Sequence, residues 1–175
     1  MNEGRWSFKN GIRGSPNAAE DVIVFRDIAL ARLTGGHLHL AHLSSRYSVQ
    51  ALREAKREGL RVSGEVSPHH LLLSDDALSS LDTNYKMSPP LRSEEDRLAL
   101  IQALEDGVID AIATDHAPHS FDEKSRDFVK APNGVIGLES AFSVCMNLVR
   151  EGKLSFSRLI YALTRGPCDV MNFKN

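Results

Sequence analysis

The sequence predicts an α/β fold built on a parallel sheet, and three observations carry that expectation. Apolar runs of strand length, the first two alternating, recur at residues 37–42, 60–66 and 108–114. Each is followed by a stretch of helical periodicity, and a strand-then-helix order implies crossovers and therefore parallel pairing. Each run also ends in ionisable side chains, and in sheets of this class ligands bind beyond the C-terminal ends of the strands.

Residues 1–15 contain Gly4, Gly11 and Gly14 and read as a loop. From Pro16 the pattern turns helical, with Val22, Phe25, Ile28, Ala29 and Leu33 at three- and four-residue spacings and Gly35-Gly36 as the stop. His37-Leu38-His39-Leu40-Ala41-His42 alternates as a strand. Ser44, Ser45 and Ser48 then offer N-caps for a helix through Val49, Leu52 and Ala55 to Gly59. Leu60, Val62, Gly64 and Val66 alternate up to Pro68 as a second strand that ends in His69-His70, with a short helix over 75–81 beyond it. The segment Lys86-Met87-Ser88-Pro89-Pro90-Leu91-Arg92 cannot be helix interior or central strand, because proline lacks the amide proton both require. Ser93 caps a helix whose acidic first turn, Glu94-Glu95-Asp96, complements the helix dipole and whose core face carries Leu98, Ile101 and Leu104. After Gly107 comes the third strand, 108–114, then a polar loop over 116–136 and two helices over 138–151 and 156–164.

A chain of 175 residues with 42% hydrophobic content is expected to form one globular domain, burying roughly 70% of its unfolded surface. A formal charge of -2 with scattered Lys and Arg provides no basic stripe for nucleic acid, so a small-molecule or protein partner is expected. Cys145 and Cys168 show neither zinc-ligand spacing nor a disulfide framework, which fits a reducing cytoplasm. No run approaches the ~20 apolar residues of a membrane span, and the first residues have no signal-peptide core.

The chemistry concentrates at the strand ends. Asp115 closes a mainly apolar run, where a carboxylate is costly unless a cation or donor awaits it. His116 and His119 stand within four residues of it, and imidazole with carboxylate is the usual sulfur-free zinc donor set. His42 ends the first strand, whereas period 2 puts His37 and His39 on the opposite face, where structural roles are expected. On residues alone the pattern points to a metal-dependent hydrolase.

Four motifs narrow this. His42-Leu43-Ser44-Ser45, Glu65-Val66-Ser67-Pro68-His69-His70-Leu71-Leu72-Leu73, Lys86-Met87-Ser88-Pro89-Pro90-Leu91-Arg92 and Ala113-Thr114-Asp115-His116-Ala117-Pro118-His119, in this order, closely resemble the bacterial dihydroorotases related to hydantoinases. That resemblance implies the amidohydrolase form of the TIM (β/α)8 barrel, with two zinc ions and reversible hydrolysis of L-dihydroorotate to N-carbamoyl-L-aspartate in pyrimidine biosynthesis. It implies that His42 is the metal ligand on barrel strand six, and that Asp115 is both the strand-eight ligand and the catalytic acid/base. It further implies substrate contacts at Ser88, at His119 and at the Asn133-Gly134 backbone. His69 and His70 match no metal position, so structural roles are implied for both. Two departures stand out: Ser88 occupies a position that is usually Asn, and Asn133 one that is usually Phe.

The family's His-x-His motif, bridging carboxylate and strand-five His have no counterpart in these residues. The chain is therefore expected to be a single incomplete barrel domain over 1–175, spanning strands six to eight and lacking the small C-terminal β-sandwich segment. Expected in consequence are weak metal binding by the isolated chain and either a homo-oligomer or an association with aspartate transcarbamoylase. Allantoinase, dihydropyrimidinase and a non-catalytic dihydroorotase-like scaffold are the alternative functions.

Overall fold

In the computed structural model, residues 1–173 are described, and they form a three-stranded parallel sheet with helices packed against it. Strand β1 (Leu38–Leu40) pairs with β2 (Val62–Val66), and β2 pairs with β3 (Ala111–Ile112), so the spatial order is β1-β2-β3. The parallel α/β expectation is met. Between the strands lie α3 (Arg46–Arg57) and α5 (Glu94–Glu105), and α7 (Ala141–Arg150) and α8 (Phe156–Leu163) follow β3. Leu52, Leu104, Ile109 and Leu159, each fully buried, are at the centre of the core these elements enclose.

The local signals explain where elements begin and end. The Ser45 hydroxyl accepts the Tyr47 amide and the Ser93 hydroxyl accepts the Asp96 amide, each relieving an orphan donor at a helix N-terminus. Asp96 is itself buried. Its carboxylate takes the Asn17 amide, the Arg46 backbone N–H and the Ser93 hydroxyl, which ties the starts of three helices together.

Four expectations are corrected. Residues 1–15 are not simply loop: a short helix α1 (Arg5–Lys9) forms, and Asn2 bridges to Ser15. The first long helix, α2 (Ala18–Thr34), buries Asp21, Val24, Ile28 and Ala31, leaving Val22, Phe25 and Leu33 exposed. Apolar residues lie on nearly every side of this helix, and the choice of face falls to Asp21, whose carboxylate accepts the buried Ser48 hydroxyl at 2.8 Å. Leu98 on α5 is likewise exposed. The third strand is much shorter than 108–114, because the Val108 and Ile109 amides are spent closing α5 on the Ala103 carbonyl. Pairing to β2 starts only at Asp110, whose amide donates to the Gly64 carbonyl.

Three short helices fall where none was expected: α4 (Pro68–Leu72) at the end of β2, α6 (Phe121–Lys124) inside the 116–136 loop, and α9 (Arg165–Val170) after α8. With α4 starting at Pro68, the two adjacent histidines lie in a helix and not in the strand.

Candidate active site

The C-terminal ends of the three strands carry the candidate groups. His42 follows β1 with φ 38, and Asp115 follows β3 with φ 49. Side chains other than glycine seldom adopt this left-handed region, and such residues cluster at functional sites. Beyond His42 the ladder resumes, with the Leu43 amide donating to the Glu65 carbonyl at 2.9 Å, so the kink is confined to the residues that present His42.

This turn is held from outside by Glu20 of α2. Its carboxylate accepts the Ser44 and Ser45 backbone N–H groups, both at 3.0 Å, and the Ser44 hydroxyl. Arg92, itself buried, stands 4.0 Å from the same carboxylate and donates to the Ser44 hydroxyl, the Asn2 side chain and the Ser15 carbonyl. One ion pair therefore joins the turn after His42 to the end of the Pro-Pro-Leu-Arg segment. His42 and Ser88 accordingly line one cleft of about 360 Å³ together with Glu20, His39 and Arg92.

On the other side of the sheet, the 116–136 loop is pinned by lysines. The Lys86 ammonium donates to the carbonyls of Phe128, Val129 and Ala131, and Lys124 donates to those of Lys86 and Pro132. Partial burial lowers both ammonium pKa values. His119 Nε2 donates to the Asn133 carbonyl at 2.9 Å, and the Gly134 amide donates to the Lys86 carbonyl at 3.0 Å. His119, Asn133 and Gly134 are thus brought together, with His119 and Gly134 lining a second cleft of about 340 Å³. Gly134 has to be glycine: its φ is +142, and a Cβ there would lie 2.6 Å from the Ala117 carbonyl oxygen. His116 also has a place, since its Nδ1 accepts the Gly137 and Leu138 amides at 3.1 and 3.2 Å and folds the loop back on itself.

Asp115 is exposed, so the desolvation expected from its apolar run is not imposed by these residues. His39 forms a separate pair: its Nε2 lies 3.1 Å from Glu65, and that hydrogen bond lowers the Glu65 pKa against the opposing effect of burial.

The adjacent histidines of α4 part company. His70 is buried and fully used, with Nδ1 accepting the Ser67 hydroxyl at 2.6 Å and Nε2 donating to the Pro89 carbonyl at 3.1 Å. Burial, followed by the neighbouring His69, pushes its pKa down to about 3. His69 is also buried, and desolvation lowers its pKa to about 4, opposed by the charge of Asp115 and aided by that of His42. Its Nε2 has no hydrogen-bond partner among the described residues.

As metal donors, the His42 imidazole and the Asp115 carboxylate fit zinc in kind. They fall short in number: among the described residues no group of three or more His, Cys, Asp or Glu is placed to hold an ion. The strand order explains the spacing, because β2 separates β1 from β3 and so puts about 9.6 Å between their backbones. Nor, among the described residues, is any helix long and apolar enough to cross a membrane.

Residues 8–175 match the amidohydrolase family. The chain is 58% identical over 172 residues to a dihydroorotase of Anaeromyxobacter dehalogenans (strain 2CP-1), covering 97% of this chain and 40% of that protein. It is 49% identical over 171 residues to the dihydroorotase of Bacillus subtilis (strain 168), again covering 97% of this chain and 40% of the relative. The chain therefore spans about 40% of the length of the curated relatives it matches. Among solved structures, the L-hydantoinase (dihydropyrimidinase) from Arthrobacter aurescens superposes with a TM-score of 0.86 at 30% identity, over 90% of this chain and 36% of that one. The dihydropyrimidinase from Brevibacillus agri NCHU1002 does so with a TM-score of 0.82 at 32% identity, over 90% of this chain and 36% of that one.

Proposed function

This chain belongs to the amidohydrolase family, and we propose that it provides part of the active site of a dihydroorotase, a zinc-dependent enzyme that hydrolyses L-dihydroorotate to N-carbamoyl-L-aspartate. The observation that carries this reading is the 58% identity to a dihydroorotase over 97% of the chain, well above the 32% to a dihydropyrimidinase of similar backbone. In this reading the sheet is part of a TIM barrel, with β1, β2 and β3 as strands six, seven and eight. The exposed apolar residues of α2 and the open edge of β1 support the view that further barrel strands pack there.

His42 and Asp115 would contribute to a two-zinc site completed by donors outside these residues, and bound zinc would supply Lewis acidity to the ring carbonyl and the attacking water. Asp115 takes a proton as water adds to the ring amide carbon, and returns it to the ring nitrogen as the C–N bond breaks. His119 would anchor the substrate carboxylate as an N–H donor, exchanging for it the bond to the Asn133 carbonyl. Ser88 contacts substrate from the shared cleft with His42, its hydroxyl replacing the longer side-chain amide usual in the family. Asn133 and Gly134 would contact substrate from beside the second cleft, once the Asn133 carbonyl and the Gly134 amide exchange their present bonds to His119 and Lys86.

The test is a substrate panel on the natural full-length protein: dihydroorotate, dihydrouracil, hydantoin and allantoin, with product followed by a ureido assay. Dihydroorotate is expected to give the highest kcat/KM, and Asp115→Asn to lower kcat by roughly 10²–10⁴-fold. A higher kcat/KM on another ring would reassign the substrate. Absence of all turnover, with co-elution with aspartate transcarbamoylase, would make the protein a scaffold instead.

A further inference from the structure

The two histidines at the start of α4 occupy adjacent positions, and the structure gives them opposite hydrogen-bonding fates. His70 has both ring nitrogens matched, to the Ser67 hydroxyl and the Pro89 carbonyl, and so anchors α4 to the Ser88-Pro89-Pro90 segment. His69 is just as much an interior residue, at 7% exposure, yet its Nε2 is the one buried side-chain nitrogen or oxygen among the described residues without a partner. Buried polar atoms are nearly always matched, and an exception calls for a reason such as a ligand.

The position of His69 indicates which ligand. Strand β2 lies between β1 and β3, so the start of α4 stands between the strand ends that carry His42 and Asp115. Both also act electrostatically on the His69 ring, Asp115 opposing and His42 adding to the effect of burial. The three do not, however, approach closely enough to share an ion. A hydrogen-bonding role toward a molecule in the space between His42 and Asp115 fits this separation better than direct metal ligation. The ring centroids of His69 and His70 are 4.6 Å apart, so the fully bonded His70 also buttresses the orientation of its neighbour.

We propose that His69 is a substrate-binding residue of this site, its Nε2–H donating a hydrogen bond to an oxygen of the bound substrate, a ring carbonyl or carboxylate of a small cyclic amide. The proposal rests on the cyclic-amide reading above and adds to it a contact that the four motifs assigned to structure.

The experiment uses the natural full-length protein and two variants, His69→Leu and His69→Gln. Wild type is first run on dihydroorotate, dihydrouracil and hydantoin, and the ring it hydrolyses fastest becomes the probe. A wrong substrate assignment therefore shows in the wild-type panel, separately from the behaviour of His69. His69→Leu is expected to lower kcat/KM by roughly 10–100-fold, the loss of one hydrogen bond to substrate. Its metal content should be unchanged and its thermal midpoint equal or higher, because an apolar side chain relieves the unmatched nitrogen. His69→Gln, whose amide nitrogen reaches close to the position of Nε2, should recover most of the activity. Wild-type kinetics in His69→Leu would show the nitrogen to be only a tolerated orphan and would overturn the proposal. Loss of metal from a folded His69→Leu would overturn it too, in favour of a metal-holding role. If His69→Leu fails to fold, His69→Gln decides, since near-wild-type kcat/KM supports a donor and a drop as large as that expected for leucine refutes one. Hydrolysis of none of the three rings by wild type would remove this proposal together with the reading it rests on.

Discussion

Replacing Glu20 by alanine should loosen the turn that presents His42 more than any other single change on α2. The carboxylate is the acceptor for the Ser44 and Ser45 amides, at 3.0 Å each, and both serines are fully buried. Deleting it leaves two buried donors without partners, at about 1–3 kcal/mol each. It also removes the carboxylate 4.0 Å from Arg92, whose guanidinium is 2% exposed and keeps only neutral oxygen acceptors at Ser44, Asn2 and Ser15. Removing one member of a buried pair costs about 3–5 kcal/mol in general, and the remaining acceptors of Arg92 hold the total for Glu20→Ala near that range. Glu20→Gln retains an acceptor oxygen and should cost about 1–2 kcal/mol. Two measurements check this in the natural full-length protein: the urea unfolding midpoint, and native-state hydrogen exchange at Ser44 and Ser45. In Glu20→Ala, protection at those two amides should fall by roughly a hundred- to a thousandfold. The reasoning is refuted if Glu20→Ala unfolds within about 1 kcal/mol of wild type with both amides still protected.

Gly134→Ala should destabilise by about 2–4 kcal/mol, because the new Cβ meets the Ala117 carbonyl at 2.6 Å in a backbone region hostile to L-residues. A thermal midpoint equal to wild type would contradict that. His70, its pKa pushed down to about 3 against an ordinary 6.5, takes up its proton on unfolding. Its contribution to stability is therefore complete above pH 6.5 and is lost as pH falls toward 3, with a slope of at most about 1.4 kcal/mol per pH unit. Unfolding curves at pH 7 and pH 4.5 should accordingly differ less in His70→Gln than in wild type. Burial pushes the Cys145 thiol up to about 11 and leaves it inaccessible. Iodoacetamide at pH 8 followed by mass spectrometry should find Cys168 labelled in the native protein and Cys145 only after unfolding, whereas rapid native labelling of Cys145 would mean that α7 opens readily.

Much of the architecture could be read from local signals. The three apolar runs, the serine caps at Ser45 and Ser93 and the glycines that end helices all depend on residues within one or two turns of one another. So did His42 and Asp115 as strand-end groups, since both positions follow from where an apolar run stops. The buried face of α2 is not legible locally, for the complementary reason: its sequence offers several apolar stripes, and the buried one is selected by Ser48, a residue of another helix. The third strand is shorter than its apolar run, because hydrophobic character does not reveal that the Val108 and Ile109 amides are committed to the end of α5.

The sequence by itself determined the order of strands and helices, the family resemblance and the strand ends that carry His42 and Asp115. Periodicity, capping and motif spacing are properties of neighbouring residues, and they survive without knowledge of the fold. Only the tertiary structure decided that Glu20 and Arg92 brace the turn after His42, that Lys86 pins the loop carrying His119 to Gly134, and that His70 is structural while His69 is left with an unmatched nitrogen. Those outcomes depend on hydrogen bonds between residues far apart in the chain, up to 90 positions for Arg92 with Asn2. Whether a buried polar atom finds a partner is settled only when distant segments meet, and no local pattern records it.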